Sequence, residues 1–307
     1  MPDSQSGFFS NLSEPAFARP SSLEPVEAAG SGITRLLLCR EGGRNRLFKA
    51  LAPEFQGDPF FESLLRKEFE IGFSLDHPNI CAYYGFRDLP PYGPVIEIEY
   101  IKGRTLRDVL ADPAALPEKT RRHLALQLLD ALVYMHGHQV LHRDLKPENI
   151  MVTKTGNNLK IIDFGFSDSD SHYINKGPAG TRSHAAPELL AGETVDQRAD
   201  IYSLGTILQE LTPRYRNIFR KCMATDKDDR YGSAGEVRDA ILSFDKRQRF
   251  VCLVTSSLIL LALVGGIVVT TLHRSGSADV DQIFEKAERQ VEMAAGVTVS
   301  EPSSSRP

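Results

Sequence analysis

Apolar positions change their spacing along the chain, and each change marks an element. Residues 1 to about 25 are rich in Ser, Pro and Glu. Such a composition buries too little surface to offset its ordering entropy, so a disordered leader is expected. Ile33 to Cys39 is an apolar run, Glu41-Gly42-Gly43-Arg44-Asn45 is a turn, and Arg46 to Leu51 returns, which predicts a hairpin. Asp58-Pro59 marks a helix start, with Asp as N-cap and Pro at the first position. Phe61, Leu64, Leu65, Glu68 and Gly72 then share one helical face. Val95 to Tyr100 predicts a strand. Pro117 to His136 predicts a long amphipathic helix, with Leu124, Leu128, Leu132 and Met135 on its buried side and Gly137 as a stop. Leu159 to Ile162 predicts a short strand.

The last apolar block is different in kind. Val251 to Leu272 runs 22 residues without a charge. At 1.5 Å per residue such a helix measures about 33 Å, enough to cross a hydrocarbon core of about 30 Å. Lys246, Arg247 and Arg249 precede it and only Arg274 follows closely. The excess of positive charge on the N-terminal side predicts a single-pass span in the cell membrane, with the main domain cytoplasmic and the tail, residues 273–307, outside. Within that tail, Val280 to Ala294 is a candidate helix.

Composition narrows the choices further. The 307 residues carry a net charge of −4, which gives no support to a nucleic-acid partner. Cys39, Cys81, Cys222 and Cys252 form no close pair, so neither a zinc site nor a disulfide framework is indicated. The first residues are polar and Pro/Ser-rich, so no signal peptide is expected.

The densest chemistry lies in Leu141-His142-Arg143-Asp144-Leu145-Lys146-Pro147-Glu148-Asn149, a polar string with apolar residues on both sides. Flanks of that kind pin a loop into a core, where catalytic groups tend to sit. Glu68 is a second signal: a carboxylate in line with apolar neighbours needs a partner. Gly30-Ser31-Gly32 is a third, since bare glycines let backbone N–H groups approach phosphates.

The polar string matches the catalytic loop H-R-D-L-x-x-x-N of protein kinases at every fixed position. Leu47-Phe48-Lys49 resembles that family's third-strand lysine motif, and His77-Pro78-Asn79-Ile80 what commonly follows its first helix. Asp163-Phe164-Gly165, Ala186-Pro187-Glu188 and Asp200-Ile201-Tyr202-Ser203-Leu204-Gly205 resemble its metal-binding tripeptide, activation-segment anchor and core helix. Arg35 departs from the pattern, standing where the third glycine of G-x-G-x-x-G would be. From about Val26 to Phe244 the chain therefore resembles the protein kinase family. Together with the apolar block it looks like the bacterial single-pass transmembrane kinases of the eukaryotic type.

This resemblance implies an α+β, two-lobed fold: a small β-rich N-lobe and a mainly helical C-lobe spanning residues 26–244, followed by a transmembrane helix at 251–272. It implies ATP and Mg²⁺ as cofactors and protein Ser/Thr hydroxyls as acceptors, with Lys146 typical of the Ser/Thr branch. Asp144 would take the proton of the attacking hydroxyl, Lys146 would neutralise the transferring phosphate, and Asn149 and Asp163 would hold the metal. Lys49 would grip the α- and β-phosphates and pair with Glu68; Glu70, off that helical face, is the alternative partner. Gly30 and Gly32 would cradle phosphates, the backbone at Glu99 and Ile101 would meet the adenine edge, and Ile98 and Met151 would line the base pocket. Asp200 would bond loop backbone, and Arg230 would pair with Glu188.

Between Leu211 and Arg230 the chain is much shorter than in most kinases, so a reduced substrate-docking region is expected. Ser167, Ser169, Ser171, Thr181 and Ser183 lie in the activation segment beside Arg143, which suggests trans-autophosphorylation in a homodimer, with Tyr173 a weaker acceptor. Two other readings share these residues. A membrane-tethered pseudokinase acting as a scaffold is favoured by Arg35 and the short C-lobe, and opposed by the presence of Lys49, Glu68, Asp144, Asn149 and Asp163. A small-molecule kinase of the aminoglycoside or choline type is opposed by Ala-Pro-Glu.

Overall fold

The structure is a computed structural model and describes residues 23–26, 32–41, 44–112, 116–165 and 183–294. The chain divides into two units, Met1–Ile241 and Leu242–Pro307.

The first unit has two lobes. Five strands among the described residues form the N-lobe sheet: β1 (Leu23–Pro25), β2 (Thr34–Glu41), β3 (Arg44–Leu51), β4 (Tyr83–Asp88) and β5 (Pro94–Ile98), in the order β1-β2-β3-β5-β4. Neighbouring strands are antiparallel throughout. The predicted hairpin is β2–β3, in which Leu36 faces Lys49 and Arg35 faces Ala50. Facing residues share a face of the sheet, so Arg35 and Lys49 point to opposite faces. The Arg35 face is covered: Leu37, Cys39, Phe48, Ala50, Leu89 and Val95 form a buried cluster with Tyr92 packed against it. Strand β1 lies at the end of the expected leader. Leu23–Pro25 pairs with Leu37–Cys39, although its Pro-rich surroundings give no strand pattern.

Helix α1 (Pro59–Phe73) joins β3 to β4. It starts as the sequence requires, with the Asp58 side chain accepting from the Phe60 N–H. Leu65, Glu68 and Gly72 are its buried residues. Glu70, the alternative partner for the lysine, is exposed.

The C-lobe is mostly helical. It holds helices α2 (Leu106–Leu110), α3 (Glu118–Gly137), α4 (Pro187–Ala191), α5 (Gln197–Leu211) and α6 (Arg216–Cys222) and a three-stranded sheet, β6 (Gly103–Thr105), β7 (Ile150–Thr153) and β8 (Leu159–Ile161), against which α2 and α3 pack. Helix α3 buries Leu124, Leu128, Leu132 and Met135 as its periodicity predicts. Gly137 is its last residue rather than the residue beyond it. Between Leu211 and Arg230 the only α-helix is the seven-residue α6, which buries Phe219 and Cys222.

Helix α7 (Ala234–Ala294) begins with Ala234, Val237 and Ile241 in the C-lobe core. The described part of the second unit, residues 242–294, continues this helix. Val251, Leu253, Leu258, Leu261, Val264, Ile267 and Leu272 are all exposed there. One stretch, Ala234–Arg274, is long and apolar enough to cross a membrane, and none of its most apolar part is buried. The tail was expected to hold a separate helix at 280–294, but the helix is continuous through residues 273–279. That stretch contains Gly276 but no proline, so no ring blocks a backbone hydrogen bond.

Candidate active site

Lys49 lies in the middle of β3, opposite Ile96 of β5. Its Nζ donates to both oxygens of Glu68, Oε1 at 2.7 Å and Oε2 at 2.8 Å, and to Asp163 Oδ1 at 2.8 Å. Helix α1 supplies Glu68, and the loop after β8 supplies Asp163. Glu68 and Lys49 are 4% and 6% exposed, so their pair is formed away from water, whereas the Asp163 side chain is 25% exposed. Asp163 has φ +66°, a left-handed conformation uncommon for a residue with a side chain. There its Oδ1 also accepts from the Gly165 N–H at 3.1 Å.

The protonation of the three groups follows from one cation shared by two carboxylates. Burial alone would lower the pKa of Lys49, but the charges of Asp163 and Glu68 outweigh it and hold the ammonium above the ordinary lysine range. Burial would raise Asp163, yet the Lys49 charge, its hydrogen bond and the Gly165 N–H bring it down to about 2. Glu68 moves the other way. Burial is its largest influence and exceeds the pull of Lys49, while the Asp163 charge adds to it, so its pKa is raised. Asp163 is thus the more readily ionised of the two carboxylates, and Glu68 the one whose ionisation burial opposes.

The polar string runs from α3 to β7 and is held from below by Asp200 of α5. Asp200 is 1% exposed. Its Oδ2 accepts from the His142 N–H and its Oδ1 from the Arg143 N–H, each at 2.8 Å. His136 Nε2 lies 3.0 Å from Oδ2. Burial opposes ionisation of Asp200, but His136 and the backbone donors outweigh it and lower the pKa. Arg143 is held at φ +62° by these bonds. Left-handed residues of this kind cost roughly 1–3 kcal/mol and persist where surrounding contacts over-determine them.

Above that anchor, Asp144 Oδ2 accepts from Lys146 Nζ at 2.7 Å and from Asn149 Nδ2 at 3.0 Å. Asn149 Nδ2 also donates to the Asp144 carbonyl at 2.9 Å. Both acceptors are oxygens, so they fix which end of the amide is nitrogen and leave Asn149 Oδ1 as the outward oxygen. Asn149 and Asp163 therefore offer oxygen donors, the chemistry that a hard divalent cation such as Mg²⁺ requires.

Ile98 ends β5 opposite Leu47, on the same sheet face as Lys49, and is half-buried. Met151 is half-buried in β7. At Glu99 the backbone N–H is already bonded to the Ala82 carbonyl at 2.9 Å. That narrows the hinge expectation: the Glu99 backbone is left with only its carbonyl for a ligand. Gly32 is exposed at φ +82° with open space where a Cβ would lie. Gly30 lies outside the described residues, as do Ser167, Ser169, Ser171, Tyr173 and Thr181. Arg35 does not enter the cleft; its guanidinium stacks over Tyr92 at 4.7 Å on the other face of the sheet. The activation-segment anchor forms as expected, with Glu188 paired to Arg230.

Sequence reading passed over three participants. His136 sits in α3 and reaches Asp200 from 64 residues away, with no local signal. Arg107 of α2 bonds Glu148 of the polar string at 2.8 Å, again across a long separation. Tyr83 donates to Glu68 Oε1 at 2.9 Å; the available hint was Gly72, a bare position on a buried helical face.

Two lobes with a lysine–glutamate pair in one and an aspartate-bearing loop in the other define a phosphotransferase of the protein kinase class. Residues 36–242 match the family described as protein kinase domain, and the chain belongs to that family. It is similar to the probable serine/threonine-protein kinase PknB of Bifidobacterium longum, 30% identical over 252 residues that cover 66% of this chain and 36% of that protein. Against the serine/threonine-protein kinase PknB of Mycolicibacterium smegmatis it is 29% identical over 261 residues, 71% of this chain and 42% of the other. The crystal structure of the Mycobacterium tuberculosis PknI kinase domain resembles it with a TM-score of 0.56 at 25% identity, covering 74% of this chain and 99% of that one. The chain spans only about two fifths or less of the length of these curated relatives.

Proposed function

We propose that this chain is a membrane-anchored Ser/Thr protein kinase that transfers the γ-phosphoryl group of ATP to protein hydroxyls. The observation that carries this reading is the position of Lys49, in contact at once with Glu68 and Asp163. A pseudokinase would have no need to keep this buried charge cluster, which is costly to desolvate.

Asp144 is the base in this reading, accepting the acceptor hydroxyl's proton at its carboxylate. Lys146, already 2.7 Å from that carboxylate, places a positive charge beside the oxygens that carry negative charge during transfer. Lys49 holds the α- and β-phosphates, and Glu68 keeps Lys49 extended toward them. Gly30 and Gly32 give backbone N–H groups access to phosphate. The Glu99 carbonyl and the Ile101 N–H would meet the adenine edge, and Ile98 and Met151 would line the base pocket. Asn149 Oδ1 and Asp163 are the metal ligands, and bound Mg²⁺ would neutralise phosphate charge and align the phosphates. Rate enhancement then comes mostly from positioning and electrostatics.

The exposed apolar face of 251–272 supports a single membrane crossing, with Lys246, Arg247 and Arg249 on the cytoplasmic side. Anchoring raises the effective concentration of neighbouring copies, which favours autophosphorylation in trans within residues 167–183. The test is to incubate the full chain in detergent with Mg²⁺ and γ-labelled ATP, alone and with a Ser/Thr-containing acceptor protein. Label on serine or threonine of either is the expected result. No transfer by well-folded wild type, with nucleotide still bound, would favour the pseudokinase reading.

A further inference from the structure

We propose that Tyr83 is a positioning residue for phosphoryl transfer, holding Glu68 with its phenol. This inference rests on the kinase reading and extends it to a residue outside the motifs.

Tyr83 opens β4 and is 6% exposed. Its hydroxyl donates to Glu68 Oε1 at 2.9 Å, the same oxygen that Lys49 approaches to 2.7 Å. A carboxylate gripped from one side by an ammonium can still rotate. A second donor from another strand fixes its plane. The Tyr83 ring also lies 5.7 Å from the Phe164 ring, tilted by 56°, and Phe164 lies 5.7 Å from the His142 ring. Phe164 is 1% exposed and adjoins Asp163 in sequence. One side chain therefore touches both the carboxylate that orients Lys49 and the ring beside the proposed metal ligand.

Space for this arrangement comes from Gly72. It lies one helical turn beyond Glu68 on the buried face of α1. A Cβ built there would sit 2.6–2.7 Å from three atoms of the Tyr83 ring, closer than real carbon contacts. The glycine is not needed for backbone conformation, since it has an ordinary helical φ. Its role is volume: the ring from β4 occupies what a helix side chain would otherwise fill, and this lets the phenol reach Glu68.

The experiment uses the full chain in detergent, with Mg·ADP affinity read by calorimetry and transfer read with labelled ATP. Tyr83→Phe keeps the ring and removes only the hydroxyl, so the thermal midpoint should fall by no more than about 2–4 °C. Loss of one charge-assisted hydrogen bond corresponds to about a tenfold effect, expected in kcat/KM for ATP and in Mg·ADP affinity. In a Glu68→Gln background the same change should have little further effect, because the two act as a unit. Gly72→Ala would ordinarily favour a helix. Here it should lower both the thermal midpoint and nucleotide affinity, and adding Tyr83→Leu should recover the midpoint without the affinity. Tyr83→Phe matching wild type in both readouts, or its full effect persisting in Glu68→Gln, would overturn the proposal. An inactive wild type that still binds Mg·ADP, with Tyr83→Phe weakening that binding, would sink the kinase reading and leave Tyr83's role intact.

Discussion

Arg230 meets Glu188 through both arms of its guanidinium, Nη1 to Oε1 at 2.7 Å and Nη2 to Oε2 at 2.8 Å. The Arg230 side chain is fully buried, and its remaining donors reach the carbonyls of Ala224, Thr225 and Arg198. Tyr202 lies beneath the guanidinium at 4.9 Å. The pair ties the anchor Ala186-Pro187-Glu188 to the far end of the C-lobe. Arg230→Met should destabilise the first unit by about 3–5 kcal/mol, because it strands a buried carboxylate. Chemical unfolding followed by fluorescence measures this, and a loss under about 1 kcal/mol would show that the pair is dispensable.

Acid should weaken this fold through three carboxylates. Asp163, Asp200 and Glu188 all have lowered pKa values, with buried cost overcome by Lys49, by His136 and by Arg230 respectively. A carboxylate whose folded pKa lies below its unfolded value of about 4 stabilises fully above that pH. That stability disappears as pH falls toward the folded value, about 2 for Asp163. Glu68, with a raised pKa, works in the opposite direction and offsets part of the loss. Unfolding midpoints between pH 7 and pH 3 should therefore fall most steeply below about pH 4. A midpoint that rises in that window would contradict the assignment of charges.

Removing the base is the sharpest test of the chemistry. Asp144→Asn should lower phosphoryl transfer by about 10²- to 10⁴-fold. Nucleotide binding should survive, since the phosphate-holding Lys49 is untouched. Lys49→Met should instead weaken both binding and transfer, because it also leaves Glu68 and Asp163 facing each other without their shared cation. Wild-type rates in both variants would show that these residues are misassigned.

Arg35 offers a test of sheet register. Its guanidinium stacks on Tyr92, on the face opposite Lys49. Arg35→Ala should cost about 0.5–1 kcal/mol of stability from the lost cation–π contact, while KM for ATP stays unchanged. A clear rise in KM would place this side chain in the nucleotide cleft instead.

Topology can be checked in intact cells. With the kinase unit cytoplasmic, a cysteine engineered at Ser4 should be protected from a membrane-impermeant thiol reagent, and one at Ser303 should react. Reaction at Ser4 alone would reverse the orientation expected from Lys246, Arg247 and Arg249.

Much of this molecule was written in local pattern. Asp58-Pro59 set the start of α1, the spacing of Leu124, Leu128, Leu132 and Met135 set the buried face of α3, and the charge-free block at 251–272 set the exposed helix. Each depends on neighbours within a few residues, and so does the polar string from His142 to Asn149, fixed by its own order. That Glu68 needs a partner was legible too, because a carboxylate on an apolar helical face cannot stay unpaired; its pairing with Lys49 came from the resemblance to protein kinases. Other features depended on partners far apart in sequence. His136 and Asp200 are 64 residues apart, and only packing of α3 on α5 makes them neighbours. The direction of Arg35 was decided by strand register, which no single strand encodes. Tyr83 needed three things at once: β4 beside α1, a bare Gly72 to pass over, and Glu68 one turn away. Sequence determines which side chains are available and which face of an element they occupy. Tertiary structure decides which faces meet, because that follows from the volume and polarity balance of the whole core.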